Sequence, residues 1–449
     1  MRRAARRAGE ARRAALAGVP PALEDLILSI DALDAEGRGV ARNADGKVVF
    51  VEGALPGERA AVSVFNKKRK FETARALQIL ESSAGRRAPP CPHFGTCGGC
   101  ATQHADERTQ MAAKQRWLED CLERIGKVKP ETLLPILYGP EWGYRHRARL
   151  SVRHLASRGA MVGFRERRST HVAEMRECHV LPQPVSQLIV PLRSLVGSLS
   201  IRERLPQIEV AVGDNATVLV FRHLLPLDLS DQEILKEFAG RHGVHVWLQP
   251  GGPESARPFE PAHSELYYEL PEFGVRIGFR PTEFTQVNFA VNRMLVSRAL
   301  RLLDAQPGER VADLFCGLGN FSLPLARRGA QVIGFEGNRE LVERARQNAA
   351  ANGLVAQFEA VDLFKNGIAA FGPFDKILID PPREGAVEVV KALPAQWPRR
   401  IVYVSCDPAT LARDAAILVH TQGFRLSAAG VANMFPHTAH VESVALFDR

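Results

Sequence analysis

The sequence predicts a multidomain α/β protein with an N-terminal OB-like β-barrel, a central α+β domain and a C-terminal doubly wound, Rossmann-like domain. Three observations support this. Five short segments with two-residue alternation fall between about residues 25 and 80, which suits a small closed barrel. Residues 141–272 mix strand and helix patterns. From about residue 281, strand and helix patterns alternate, as in a doubly wound sheet.

These changes of pattern also predict the domain boundaries. We expect a basic disordered tail at 1–18, the barrel at 19–82, the central domain at 83–275 and the doubly wound domain at 276–449. A helical period over 104–128, with Met111, Leu118, Leu122 and Ile125 on one face, could pack on the last of these.

The composition indicates a polyanionic partner and no membrane segment. The net charge is +9 and the pI is about 9.4. No apolar run approaches the roughly 20 residues that cross a bilayer, and no apolar core follows the basic N-terminal residues as a secretory signal requires. We therefore expect a cytoplasmic protein with no obligate protein partner, most simply a monomer.

The predicted barrel carries a cluster of positive charge. Its strands are expected near residues 26–30, 39–41, 47–51, 59–65 and 71–77, and the loop 66–70, Asn-Lys-Lys-Arg-Lys, joins the last two. A basic loop on the rim of such a barrel is typical of oligonucleotide binding. A second basic surface is expected on a strand that alternates Arg147, Arg149 and Arg153 with apolar residues, and such a face could hold phosphates.

Four of the seven cysteines form a candidate metal site. Cys91, Cys97 and Cys100 have the spacing Cys-x5-Cys-x2-Cys among several glycines, and Cys178 lies downstream. An odd cysteine count without a secretion signal argues against a disulfide framework. Zinc and iron-sulfur clusters both accept thiolates at such spacing, so the residues alone leave the metal open, although four cysteines suit a 4Fe-4S cluster.

A glycine turn between two predicted strands indicates a nucleoside-type cofactor. The strand 311–315 leads into Cys-Gly-Leu-Gly-Asn-Phe, and the next strand ends in Glu336, which suits ribose hydroxyls. Asn320 and Phe321 stand where a pyrophosphate binder would carry more glycine. The turn therefore favours an adenosyl ligand without phosphate, S-adenosylmethionine.

Two further acids end predicted strands of the same sheet. Asp362 is placed to meet the adenine, and Asp380 lies at the edge where cofactor and substrate meet. Either carboxylate could also be an ordinary helix cap.

Cys406 is the candidate nucleophile. It follows the buried strand 401–404 and precedes a helix that begins after Pro408, and the helix N-terminus is expected to favour the thiolate. A free cysteine is more commonly a small buried hydrophobe. With a methyl donor nearby, however, a thiolate could add to carbon 6 of uracil and activate carbon 5. The base that then removes the carbon 5 proton is expected to be Glu442, in preference to His437 or His440, because an enclosed carboxylate gains basicity.

Together these motifs resemble the RNA uracil carbon-5 methyltransferases. The resemblance runs from about residue 25 to the end and includes FTQVN, DLFCGLGNFSLPLA, GFEGN, IDPPR, VSCDPATLARD and FPHTAHVES. The segments LDAEGRGVAR and VFVEGALPGE resemble a TRAM domain, a small RNA-binding barrel.

The resemblance implies a class I methyltransferase domain and specific roles for individual residues. Cys406 would be the nucleophile and Glu442 the base. S-adenosylmethionine would contact Gln286, Phe315, Asn320, Glu336, Asp362 and Asp380. A structural 4Fe-4S cluster would be held by Cys91, Cys97, Cys100 and Cys178. The combination of barrel and cysteine set implies 23S rRNA as the partner and its uridine 1939 as the target.

Two alternatives remain open from the sequence. One is a uracil methyltransferase that acts at a different or second RNA site. The other is a non-catalytic RNA-binding protein for ribosome assembly. A radical mechanism is disfavoured because the Cys-x3-Cys-x2-Cys spacing is absent.

Overall fold

The computed structural model describes residues 26–365 and 367–449. The predicted basic tail at 1–18, and residues 19–25 of the predicted barrel domain, lie outside the described residues. The chain divides into two compact units. The first contains the described residues up to 94, together with 100–117 and 437–440, and the second contains 95–99, 118–436 and 441–449.

The first unit contains the predicted barrel. Its strands are β1 (Ile27–Leu33), β2 (Gly39–Arg42), β3 (Val48–Glu52), β4 (Arg59–Lys67) and β5 (Phe71–Glu81). They close in the order β1-β2-β3-β5-β4. Alternate residues such as Ile30, Val49, Val51, Val62 and Ala74 fill the interior, as the two-residue period requires. The sequence prediction of a five-stranded barrel is confirmed.

The predicted helix over 104–128 is shorter than expected and ends in a π-turn. Helix α1 spans Glu107–Cys121, and the π-turn spans Leu122–Gly126. Met111, Leu118 and Leu122 are buried as predicted, but Ile125 is 50% exposed. That part of the prediction is wrong because the wider π-turn breaks the 3.6-residue period. The two-residue strand β6 (Thr132–Leu133) follows.

The second unit includes the central α+β region. A six-stranded sheet has the order β12-β11-β10-β9-β7-β8. Its strands are β7 (Arg147–Leu155), β8 (Gly159–Gly163), β9 (Gln207–Val212), β10 (Thr217–Arg222), β11 (His245–Gln249) and β12 (Arg257–Glu260). The helices are α2 (Gln183–Gln187), α3 (Ile189–Ser198) and α4 (Leu229–His242), and β13 (Leu266–Leu270) pairs with β14 (Val275–Phe279). Short 3-10 turns occur at 202–204, 253–255, 271–273 and 369–371.

An eight-stranded, doubly wound sheet forms the rest of this unit, as predicted. Its order is β17-β16-β15-β18-β19-β21-β20-β6. The strands are β15 (Arg310–Leu314), β16 (Gln331–Glu336), β17 (Gln357–Ala360), β18 (Lys376–Ile379), β19 (Arg400–Ser405), β20 (Arg425–Ala432) and β21 (Glu442–Asp448). The helices are α5 (Phe289–Leu303), α6 (Ser322–Arg327), α7 (Arg339–Ala351), α8 (Val387–Lys391) and α9 (Pro408–His420).

The strand directions bring the candidate catalytic residues to one edge of the sheet. β15 to β19 are parallel to one another, so their carboxyl ends meet there. β21 is antiparallel to β19, with Ser443 opposite Ser405. The start of β21 therefore lies at the same edge as the end of β19, and Glu442 and Cys406 emerge there together. In the described part of the chain, no helix has the length and apolarity needed to cross a membrane.

Candidate active site

Glu336 fixes the glycine turn from the neighbouring strand. One of its carboxylate oxygens accepts a hydrogen bond from the Gly317 backbone N–H (3.2 Å), and the other accepts from the Asn338 N–H (2.9 Å). Phe315, at the start of the turn, has a left-handed φ of 63°, which is uncommon for a residue with a β-carbon. These two hydrogen bonds orient the carboxylate, and each oxygen keeps a lone pair that can accept a hydrogen bond from a ligand hydroxyl.

Asn320 is held by a buried amide pair. Its Nδ2 donates to Asn292 Oδ1 (3.0 Å), and its Oδ1 accepts from Asn292 Nδ2 (2.9 Å) and from the Tyr268 hydroxyl (2.9 Å). One Nδ2 hydrogen is left for a ligand. Asn292 and Tyr268 were missed by sequence reasoning because they come from α5 and β13, far away in the chain.

Arg147 fixes the backbone just before the FTQVN segment, residues 284–288. The Arg147 guanidinium donates to the carbonyl oxygen of Pro281 (2.7 Å) and to that of Glu283. Arg147 is therefore engaged within the protein rather than on a phosphate-binding face, and this part of the sequence expectation is wrong. Within the segment, Gln286 is buried, whereas Phe284 is 69% exposed.

Asp362 lies just beyond β17, at the exposed side of the same edge. Its Oδ1 accepts from the Phe364 N–H (3.1 Å), and its Oδ2 pairs with Lys365 (2.9 Å). The Phe364 and Phe315 rings have centroids 5.6 Å apart. The carboxylate and the two rings provide a polar group and apolar faces of the kind that a purine needs.

Asp313 is a buried acid with an unsatisfied oxygen. Its Oδ2 accepts from the Ser322 hydroxyl (2.5 Å), while its Oδ1 has no hydrogen-bond partner. Burial, with the charges of Asp380 and Glu336, raises the pKa of Asp313 to about 7. The sequence analysis did not single out this residue, although it lies one position before the end of β15, the strand that leads into the glycine turn.

Cys406, Glu442 and Asp380 form one electrostatically coupled group. Glu442 is only 2% exposed, whereas the Cys406 residue is partly exposed. Burial raises the pKa of Asp380 to about 7. Burial and the charge of Asp380 raise the pKa of Glu442 well above its usual range. A carboxylate with a raised pKa is a stronger base, as the assignment of Glu442 requires.

The environment of Cys406 does not favour the thiolate in the ligand-free protein. Burial, then the charges of Glu442 and Asp380, raise the pKa of the thiol to about 11, while Arg383 acts in the opposite direction. The first N–H groups of α9 are occupied by the Asp407 carboxylate, which accepts from Ala409 (2.8 Å). The pKa of the thiol is therefore raised, whereas the position before this helix led us to expect a lowered one.

Asp414 anchors the loop that follows Asp380. It is fully buried and accepts from the Tyr403 hydroxyl (2.7 Å) and the Ala386 N–H (2.7 Å), and it pairs with Arg413 (2.8 Å). The IDPPR loop is thus tied to β19 and α9, the two elements that flank Cys406. Asp414 lies in a motif that sequence reasoning used, but its long-range partners gave no signal there.

The predicted cluster cysteines are divided between the two units. Cys91 and Cys100 belong to the first unit, and Cys97 and Cys178 belong to the second. Over residues 26–365 and 367–449, no three or more His, Cys, Asp or Glu side chains are arranged as a metal-binding group. Cys97 and Cys178 are buried, and the Cys97 sulfur accepts from the Gly99 N–H at 3.4 Å. None of the seven cysteines, all within the described residues, forms a disulfide.

Comparison with known proteins gives consistent matches over nearly the whole chain. A family model described as tRNA (Uracil-5-)-methyltransferase matches residues 272–364 and 370–449, and a TRAM domain model matches 27–77. The 23S rRNA (uracil(1939)-C(5))-methyltransferase RlmD of Thiobacillus denitrificans is 61% identical, covering 94% of this chain and 99% of that protein. The protein of the same name from Nitrosospira multiformis is 59% identical, covering 94% and 98%.

A solved structure has the same overall fold. It is the tRNA (uracil-54, C5)-methyltransferase of Pyrococcus abyssi in complex with S-adenosyl-L-homocysteine. The match has a TM-score of 0.73 and 25% sequence identity, and covers 94% of this chain and 99% of that chain.

The buried Asp313 gives a prediction about stability. The native carboxyl, with a pKa of about 7, holds its proton more tightly than the unfolded one, whose pKa is about 4. The wild-type protein should therefore lose stability as the pH rises from about 4 to about 7. Asp313→Asn, which cannot ionise, should be more stable than wild type at pH 8 by about 4 kcal/mol. Thermal melts across this range test the difference.

The matched control is Asp45→Asn, at an exposed position in the barrel. It should keep the wild-type pH dependence. Equal pH slopes for Asp313→Asn and wild type would contradict the raised pKa of Asp313.

Proposed function

Because the chain belongs to the RNA uracil carbon-5 methyltransferase family, we propose that it transfers a methyl group from S-adenosylmethionine to carbon 5 of uridine 1939 in 23S rRNA. The target base is the one that the names of the 61% and 59% identical relatives give. The observation that carries the proposal is the convergence of Cys406, Glu442 and Asp380 at the sheet edge next to the glycine turn.

The residues at this edge fit S-adenosylmethionine. Glu336 would hold the ribose hydroxyls, and Asp362 with Phe315 would meet the adenine. The rest of the cofactor would be surrounded by Gln286, Asn320 and Asp380. Buried acids with raised pKa values, including Asp313 with its unsatisfied oxygen, suit a cationic ligand because a nearby positive charge stabilises their ionised form. When bound, S-adenosylmethionine supplies an electrophilic methyl group.

Cys406 and Glu442 would act in turn on the uracil ring. The Cys406 thiolate forms a bond to carbon 6, and the electron pair of the carbon 5–carbon 6 double bond moves toward the carbon 4 oxygen as an enolate. Carbon 5 would then bond to the methyl carbon of S-adenosylmethionine as the methyl–sulfonium bond breaks, leaving S-adenosylhomocysteine. The Glu442 carboxylate removes the proton from carbon 5, and the carbon 6–sulfur bond breaks, which restores the double bond and the thiolate.

The barrel offers a surface for single-stranded or unstacked RNA. Phe65 is 49% exposed with the Arg75 guanidinium 6.0 Å from its ring centroid, and Phe71 is 36% exposed. The loop of Lys68, Arg69 and Lys70 joins their two strands. Exposed aromatic rings beside cations stack on bases and attract phosphates. Phe284, beside Gln286, would provide a further ring close to the target base, which must be turned out of its stack to reach Cys406.

We also propose that Cys91, Cys97, Cys100 and Cys178 hold a 4Fe-4S cluster. Four thiols match the donor set of such a cluster, and the N–H···S bond from Gly99 to Cys97 is of the kind that stabilises a cluster thiolate. Burial of Cys97 and Cys178 would protect the cluster from water. When bound, the cluster would cross-link the cysteine-bearing segments.

The domain organisation follows the changes of pattern in the sequence. We propose the division into a tail at 1–18, a TRAM domain at 19–82, a central domain at 83–275 and a methyltransferase domain at 276–449. A monomer in the cytoplasm, where rRNA is made and modified in bacteria, fits the proposed activity.

The first test removes the nucleophile. Cys406→Ala should lower methyl transfer to a 23S rRNA fragment by a thousandfold or more, on the order of other nucleophile deletions. The measurement is incorporation of labelled methyl from S-adenosylmethionine into a fragment that contains uridine 1939. Cys121→Ala, which removes a buried thiol that has no proposed catalytic or cluster role, should retain activity. A fragment with cytidine at 1939 should not be methylated. Equal labelling of the two fragments would redirect the proposal to another site.

The second test removes the base. Glu442→Gln should allow attack and methyl transfer but block loss of the carbon 5 proton, so a covalent protein–RNA adduct should accumulate. A denaturing gel shows the adduct as a slower band, and the double variant with Cys406→Ala should lack it. If Glu442→Gln turns over without an adduct, another group is the base.

The third test concerns the cluster. Protein prepared without oxygen should contain about four iron and four sulfide per chain, with the broad visible absorption of a cubane cluster. Cys97→Ser should reduce the iron content, and Cys121→Ala should not. About one zinc per chain in place of iron would overturn the 4Fe-4S proposal and favour a zinc site.

A further inference from the structure

Tyr144 lies on a short segment that is fixed by three backbone hydrogen bonds. The Gly143 N–H donates to the His179 carbonyl (2.9 Å), and the Arg145 N–H donates to the Val180 carbonyl (2.9 Å). The His146 N–H donates to the Val287 carbonyl (2.8 Å). These partners lie next to Cys178 on one side and Gln286 on the other.

Side chains reinforce this placement. The His146 ring stacks on Phe289 with centroids 4.2 Å apart and planes 15° apart, and Phe289 in turn stacks on Tyr268 at 4.9 Å. Tyr268 donates to Asn320 in the glycine turn. The segment 143–147 is therefore a rigid part of the second unit, continuous with the groups that surround the proposed cofactor site.

From this rigid segment, the Tyr144 side chain reaches the turn that precedes Glu442. The Tyr144 side chain is buried, with 1% exposure, and its hydroxyl donates to the Pro436 carbonyl oxygen at 2.9 Å. Pro436 lies in the turn between β20 and β21, six residues before Glu442. The bond fixes the peptide that leads into His437, whose φ is 63°. A non-glycine residue persists in this conformation only where its surroundings hold it.

The same turn makes further hydrogen bonds. The Asn433 N–H donates to the Leu137 carbonyl (2.8 Å). Within the first unit, the His437 N–H donates to Gln110 Oε1 (2.8 Å), and its carbonyl accepts from Ala101 (2.7 Å). Removing the Tyr144 hydroxyl oxygen deletes one hydrogen bond to this turn and leaves the ring in place.

We propose that Tyr144 is a positioning residue for the base, which holds the β20–β21 turn so that the Glu442 carboxylate meets the proton on uracil carbon 5. The proposal rests on the function proposed above. Loss of the hydroxyl bond lets the turn relax, and the step that suffers is proton removal, after the carbon 6–sulfur bond and the new carbon–methyl bond have formed.

The test is Tyr144→Phe in the full chain. We expect kcat to fall about tenfold, because a displaced catalytic group loses alignment, and KM for RNA to fall with it, because the adduct that accumulates holds RNA on the protein. The methylated protein–RNA adduct should build up in the steady state on a denaturing gel. RNA deuterated at uracil carbon 5 should show a larger isotope effect on kcat with this variant than with wild type.

The matched control is Tyr267→Phe, whose ring lies under the Arg276 guanidinium at 4.1 Å. It should behave as wild type. If Tyr144→Phe only lowers the melting temperature, with no adduct and an unchanged isotope effect, Tyr144 is a packing residue and the inference fails. Wild type and Glu442→Gln are measured in parallel. If the proposed function fails, wild type gives no methylation or Glu442→Gln gives no adduct, and this outcome differs from failure of the inference about Tyr144.

Discussion

The antiparallel insertion of β21 between β19 and β20 is the constraint on which the candidate active site depends. Five parallel strands alone would bring Glu336, Asp380 and Cys406 to one edge, but a further parallel strand would begin at the opposite edge. Because β21 runs the other way, with the Ser443 hydroxyl bonded to the Ser405 carbonyl at 3.0 Å, its first residue lies beside the last residue of β19. The proposed base and the proposed nucleophile, 36 residues apart (442 minus 406), thus share one corner.

Desolvation is the second feature of this corner. Asp313 and Glu442 are nearly inaccessible to water, and burial is the largest cause of the raised pKa values of Asp313, Asp380 and Glu442. Gathering acids in such a place costs folding free energy that paired surface acids would not cost. The arrangement is understandable if the same acids face a cation when the site is occupied, because a positive charge restores the ionised forms that burial disfavours.

The sequence predicted the elements but not the contacts between distant elements. Alternation of period two located the barrel strands, and apolar runs ending in Glu336, Asp380 and Cys406 located the sheet edge, because these signals are local. The amide pair of Asn320 with Asn292, the anchoring of the IDPPR loop by Asp414 and the Tyr144–Pro436 bond join segments that are far apart in the chain, and no local pattern encodes them. Local reasoning also failed at Ile125, where a π-turn changed the phase of the helix.

Cys406 shows how local and distant effects compete. Its position before α9 favours a low pKa for the thiol, but Asp407 caps that helix, and burial with the two carboxylates moves the pKa to about 11. At neutral pH such a thiol is mostly protonated, and the thiolate is the nucleophilic form. Once formed, a thiolate of high pKa is intrinsically more nucleophilic than one of low pKa. Attack by this sulfur therefore requires a group that takes the thiol proton, or a positive charge that offsets Asp380 and Glu442.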